Sequence, residues 1–238
     1  MSETDETSSA DLPVTAELSA TADVRYSFTA QFLIGAAFFS RCAETIERES
    51  SGSITEVVRS NHRAYVVAAI MQSVAALEAE IWEVCVHGPG HHLGSGGTDI
   101  AARDFLTPLA EVIDGEDTLS RYKLVLHLLN KEPLDRGAQP WQDAALLVKL
   151  RNNLIHYKSK WGSQLENSNT FAAIMRLKHP RPPFVPASGV NFFPHQCLSA
   201  GCAVWAVDTA VAFLDAFYAH LGISCVLERH RSALLARS

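Results

Sequence analysis

The sequence predicts an all-α fold, a helical bundle of five or more helices. Apolar residues recur at three- and four-residue steps over long stretches between positions 25 and 221, the period of amphipathic helices. No alternating β-branched run longer than about four positions stands between turn residues, so no sheet is supported. With 238 residues, 47% hydrophobic and 19% charged, the chain can bury a substantial core. It lacks the 20–50-residue self-similarity that would indicate a solenoid.

Residues 1–24 hold six carboxylates, no Lys or Arg and no periodicity, and read as a disordered acidic tail outside the fold. The first helix spans 25–49 through Phe28, Phe32, Leu33, Phe38, Phe39 and Ile46, and stops at Ser50-Ser51-Gly52-Ser53. Thr55 opens a long second helix with no Gly or Pro before Gly88, long enough to be the spine of a bundle. The glycine-rich stretch 87–97 reads as a flexible break, after which Thr98 or Asp99 caps a short helix to about Ile113. Asp117 caps a helix to about Asn130, and Gln139-Pro140-Trp141 starts another to about Trp161. A weaker helix within 163–178 precedes the proline-rich piece 180–186, which cannot be helical. The strongly apolar stretch 198–221 presents Val204, Val207, Val211, Leu214 and Tyr218 on one face and ends at Gly222. Residues 223–238 form a basic helix or tail carrying Arg229, His230, Arg231 and Arg237.

The net charge of −6 resides in the first 24 residues; the rest balances at 20 cationic against 20 acidic side chains, which leaves room for a local basic patch. The best membrane candidate, 202–221, is interrupted by Asp208, Asp215 and His220, so no membrane association is expected. An acidic, Ser/Thr-rich start lacks the basic and apolar regions of an export signal, which predicts a cytoplasmic protein. Five scattered cysteines then read as buried thiols without disulfides. His87, His91 and His92 lack a carboxylate or thiolate at ligand spacing, and His195, Cys197 and Cys202 lack a second Cys/His pair, so neither group predicts a metal site. No cofactor is expected.

Common dinucleotide, P-loop, zinc-protease, serine-hydrolase and CxxC signatures are absent. The local concentration of chemistry is the segment from Lys149 to Trp161, with five cationic or titratable side chains and two aromatics. On a helix Asn152 and His156 share a face, and Arg151 lies about 140° from His156. A titratable imidazole, a fixed guanidinium and an amide form a set suited to moving a proton beside a phosphodiester. Trp82, Trp141, Trp161 and Trp205 read as core or interface anchors, with Trp161, following the basic strip, also a candidate for stacking on a base.

Arg151-Asn152-Asn153-Leu154-Ile155-His156 resembles the Arg, polar residue, three residues, His signature of the HEPN superfamily. Ala75-Ala76-Leu77-Glu78 on a long earlier helix is similar to that family's pattern, and the resemblance covers roughly residues 25–220, making 25–222 an HEPN-like helical domain. It implies a metal-independent endoribonuclease in which two motifs meet across a homodimer. Arg151 would hold the phosphate, His156 would act as acid or base, and Asn152 would orient its ring. The 2′-OH would attack phosphorus to leave a 2′,3′-cyclic phosphate and a 5′-OH. Glu78 or Glu80 would hydrogen-bond Arg151, and Lys149, Tyr157, Lys158, Lys160 and Trp161 would support RNA binding. A bacterial toxin or defence setting, with an antitoxin or other regulatory protein as partner, belongs to the same implication. HEPN toxins often carry a Tyr two residues after the His; here that position is Lys158. Two other readings follow from the same residues: a non-catalytic HEPN-like module binding a nucleotide, RNA or protein, and a structural helical dimer built on the apolar face between Trp205 and Tyr218.

Overall fold

Helix α1 (Thr29–Glu49) and helix α2 (Glu56–His87) are joined by a short connection and pack along their lengths as a helical hairpin. The computed structural model describes residues 27–50, 52–94, 96–157 and 170–235, and the predicted acidic tail lies outside them. Small residues let the hairpin close: Ala36, Ala37, Ser40 and Ala43 of α1 and Ala69, Ser73 and Ala76 of α2 are all buried. A Cβ on Gly35 would lie 2.1 Å from Gln72 Oε1. Along α2, Val66, Ile70, Val74, Leu77, Ile81 and Val84 recur at helical spacing and are at most 1% exposed.

Helix α3 (Ile100–Leu106) and helix α4 (Ala110–Asp114) divide what the sequence predicts as one short helix. Pro108 lies in the 3₁₀ turn between them, where its missing N–H interrupts the ladder. Helix α5 (Thr118–Leu128), helix α6 (Trp141–Ile155), helix α7 (Thr170–Lys178), helix α8 (Ala200–Leu221) and helix α9 (Arg231–Leu235) complete the chain. The described residues thus hold nine α-helices and no strand, an all-α bundle.

α8 packs against both α1 and α2, and α6 lies across α2 and α8. Ala203, Ala206, Ala210, Phe213, Leu214 and Phe217 of α8 are completely buried. Val207 and Tyr218 of the predicted apolar face are also buried in this chain's own core, whereas Val204, Trp205 and Val211 stay partly exposed. Both α2 and α8 are long and apolar enough to cross a membrane by length and composition, despite the charges that interrupt 202–221. In this fold about half of each of those apolar stretches is buried inside the bundle.

Local signals behave as their chemistry requires. Thr55, Asp99 and Ser199 accept hydrogen bonds from backbone N–H groups in the first turns of α2, α3 and α8, and Gly222 ends α8 in the left-handed region. The basic C-terminal piece docks rather than trailing: Arg231 pairs in a fork with Asp215 of α8, and Arg41 reaches the Ala233 carbonyl. All five cysteines are free thiols.

Tyr218 donates its hydroxyl hydrogen bond to the fully buried Glu80. Tyr218→Phe removes that donor, and an expected loss of about 2 kcal/mol should appear as a lower urea midpoint at unchanged slope. Asp117 caps α5 by accepting from the Leu119 and Ser120 N–H groups and the Ser120 hydroxyl. Burial pushes its carboxyl up, but those hydrogen bonds outweigh it and hold it below the usual 3.8. A depressed folded pKa contributes stability above 3.8 that is lost as pH falls through the folded value. Asp117→Ala should therefore cost about 1 kcal/mol near neutrality, with the difference from the parent protein narrowing below pH 3.8.

Candidate functional site

The site begins with how α6 is seated. Trp141, Ala144, Leu147 and Leu150 follow at three-residue steps, and all are buried. Arg151, next to Leu150, therefore leaves the helix at the edge of the buried stripe, where its side chain meets α2. There it donates to Glu78 Oε1 in an ion pair with side chains 18% and 38% exposed. Thr118 Oγ1, at the start of α5, donates to the same oxygen at 3.1 Å. Glu78 thus joins three helices and fixes the guanidinium. The Arg151 Nε is buried with no hydrogen-bond partner. Glu80, the other predicted partner, turns instead to Tyr218 and His91.

The helix predicted to about Trp161 ends at Ile155, with His156 as its C-cap. Asn152, Asn153, Ile155, His156 and Tyr157 all have modest helix propensity, so nothing in the run carries α6 further. His156 still donates its backbone N–H to the Asn152 carbonyl at 2.9 Å. Asn152 is exposed, and its amide makes no hydrogen bond to the imidazole, so the expected orienting contact from that side chain is not made. His156 is exposed between two exposed apolar side chains, Ile155 at 52% and Tyr157 at 43%. Tyr157 approaches Phe193 with ring centroids 5.8 Å apart. Lys149 is exposed and its ammonium stands 5.7 Å from the Phe171 ring centroid. Lys158, Lys160 and Trp161 lie outside the described residues.

The histidines near the glycines form no loose loop. His91 is buried, with Nε2 3.1 Å from Glu80 Oε1 and Nδ1 3.8 Å from Glu83 Oε2. The carboxylates missing from the local sequence come from α2. The turn closes because Gly90 has φ +78° and its absent Cβ would lie 2.2 Å from the Gly97 carbonyl oxygen. His92 Nε2 reaches the Ser224 carbonyl at 2.9 Å; burial first, then His91, lowers its pKa.

A second grouping escaped the sequence reading. A ring nitrogen of His179 and the sulfurs of Cys197 and Cys202 all lie within 4.8 Å of one another, and all three residues are buried. His195, the neighbour in sequence, instead lines a cavity of about 50 Å³ with Arg59, His62 and Arg63. Burial, then Arg63 and Arg59, lower its pKa. Cys197 is lowered to about 6, led by its hydrogen bond with Cys202, against the burial that raises it and with further help from His179. No local spacing joins them: His179 follows the end of α7 and meets Ser199 and Gly201 at the start of α8 only through the fold.

No protein-family model, curated protein or solved structure matches this chain. Its function must therefore be argued from its own residues.

The ion pair that fixes the guanidinium is directly testable. A double-mutant cycle on Glu78→Gln and Arg151→Ala should give a coupling energy of about 0.5–1 kcal/mol in urea unfolding, as suits a partly exposed pair. Strict additivity would mean that the two side chains do not pair in solution.

Proposed function

We propose that this protein is a metal-independent endoribonuclease of the HEPN kind. The observation that supports this reading most is the end of α6, where a carboxylate-fixed guanidinium precedes an exposed imidazole by five residues, about 7.5 Å of helical rise. In the proposed reaction His156 takes the proton from an RNA 2′-OH as that oxygen attacks the adjacent phosphorus. The 5′-oxygen leaves with a proton returned by an acid, and Arg151 stabilises charge on the phosphoryl oxygens. Products are a 2′,3′-cyclic phosphate and a 5′-OH. Glu78 holds Arg151 against random rotation, so phosphate binding does not have to order a free side chain. A second copy supplies the other acid or base, and Ile155 and Tyr157 are exposed apolar groups that such a copy would cover. A toxin or defence role, with a neutralising protein covering this end of the bundle, extends the same proposal.

One observation favours a second reading, a non-catalytic module that binds RNA or another partner. Glu78 already occupies the Arg151 guanidinium and competes with an incoming phosphate.

Incubating the parent protein and His156→Ala with total RNA, with and without EDTA, distinguishes the two. The nuclease reading expects fragments ending in cyclic phosphate and a fall of about 10²–10⁴-fold in the variant at unchanged helix content. RNA binding without cleavage, weakened by Arg151→Ala, would establish the binding module instead.

A further inference from the structure

We propose that His179, Cys197 and Cys202 form a Zn²⁺ site that clamps the C-terminal end of α7 to the N-terminal turn of α8. Three observations converge on it. The donors are the right ones: two sulfurs and an imidazole, drawn within 4.8 Å of one another, match a thiophilic d¹⁰ cation. The imidazole is prepared for the role. Its Nδ1 lies 3.2 Å from the Pro180 carbonyl and 3.1 Å from Ser199 Oγ, so an Nδ1–H has its acceptor. Nε2 is buried with no hydrogen-bond partner, in a residue only 7% exposed. A backbone carbonyl holding one ring nitrogen while the other offers its lone pair is how ligating histidines are commonly fixed.

The backbone also makes room. Gly201 lies in the first turn of α8, and a Cβ there would stand 3.2 Å from His179 Cβ and 3.3 Å from Pro180 Cδ. Cys202 follows at the third position of that helix. On binding, each thiol transfers its proton to solvent as its sulfur bonds the ion. Two thiolates, a neutral imidazole and Zn²⁺ sum to zero charge, so the complex can stay buried. A water completes the tetrahedron. The other cluster, Glu80, Glu83 and His91, lacks sulfur; Oε1 of each carboxylate already accepts from Tyr218 or from Ser27 and Thr29, and Oε2 of each is buried without a hydrogen-bond partner.

The full-length protein, reduced and stripped of metal, is titrated with Co²⁺ and then with Zn²⁺ against a chromophoric chelator. The expected result is one ion per chain, a thiolate-to-cobalt charge-transfer band with tetrahedral ligand-field bands, and displacement of Co²⁺ by Zn²⁺. Cys197→Ser, Cys202→Ser and His179→Ala should each lower affinity at least tenfold, Gly201→Ala about tenfold, and Cys42→Ser should leave it unchanged. Absence of the charge-transfer band in the parent protein overturns the proposal whatever the variants do. So does a spectrum unchanged in Cys202→Ser, or spontaneous closure of Cys197 and Cys202 into a disulfide that excludes the ion.

Discussion

A carboxylate that water does not reach must be met by donors from the protein, and Glu80, fully buried in the C-terminal third of α2, imposes that condition on the bundle. Tyr218 from α8 and His91 from the turn after α2 meet it at Oε1, while Oε2 is left without a hydrogen-bond partner. Each partner needs its element at a fixed height along α2, so the register of α8 and the path of the turn follow from one side chain. Glu83, about 60° further round by angular position from Glu80, accepts from Ser27, the Phe28 N–H and Thr29 and sets the start of α1. Glu78 points away from both and serves α5 and α6. Three carboxylates within six residues thus give the hydrophobic core directional information that apolar contact alone lacks.

The candidate nuclease residues depend on that arrangement. Arg151 has a defined position because Glu78 is held by a helix buried among its neighbours, and because Trp141 and Leu150 seat α6 on the core. His156 gains its exposure from the end of α6, where the helix stops with the imidazole outside the last turn. A longer helix would have carried the ring along the surface with the rest of the basic strip. The end of α6 that carries Arg151 and His156 is therefore exposed and braced from behind by a carboxylate.

The cysteines and histidines show how distance along the chain can mislead. Cys197 and Cys202 have His195 as their near neighbour in sequence, yet the path before α8 turns His195 toward Arg59 and Arg63. His179, eighteen residues before Cys197, comes close because α7 ends opposite the start of α8 and Gly201 permits the approach. His91 likewise meets carboxylates from the preceding helix that no ligand spacing would reveal.

By itself the sequence determined the all-α class, the long spine helix, and the ends marked by Thr55, Asp117 and Gly222, with Asp99 as one of two candidate caps. Those features depend on side chains within a few residues of the backbone groups they satisfy. It also made Glu78 a candidate partner for Arg151, although which of Glu78 and Glu80 would serve was open. Tertiary structure made that choice, because 73 residues separate Glu78 from Arg151 and only packing brings them together. It likewise decided how much of the apolar face of α8 is core, and that His179 rather than His195 joins the thiols. Each of these outcomes turns on contacts between distant segments, whose meeting is set by the competing burial of all helices at once and leaves no local signature.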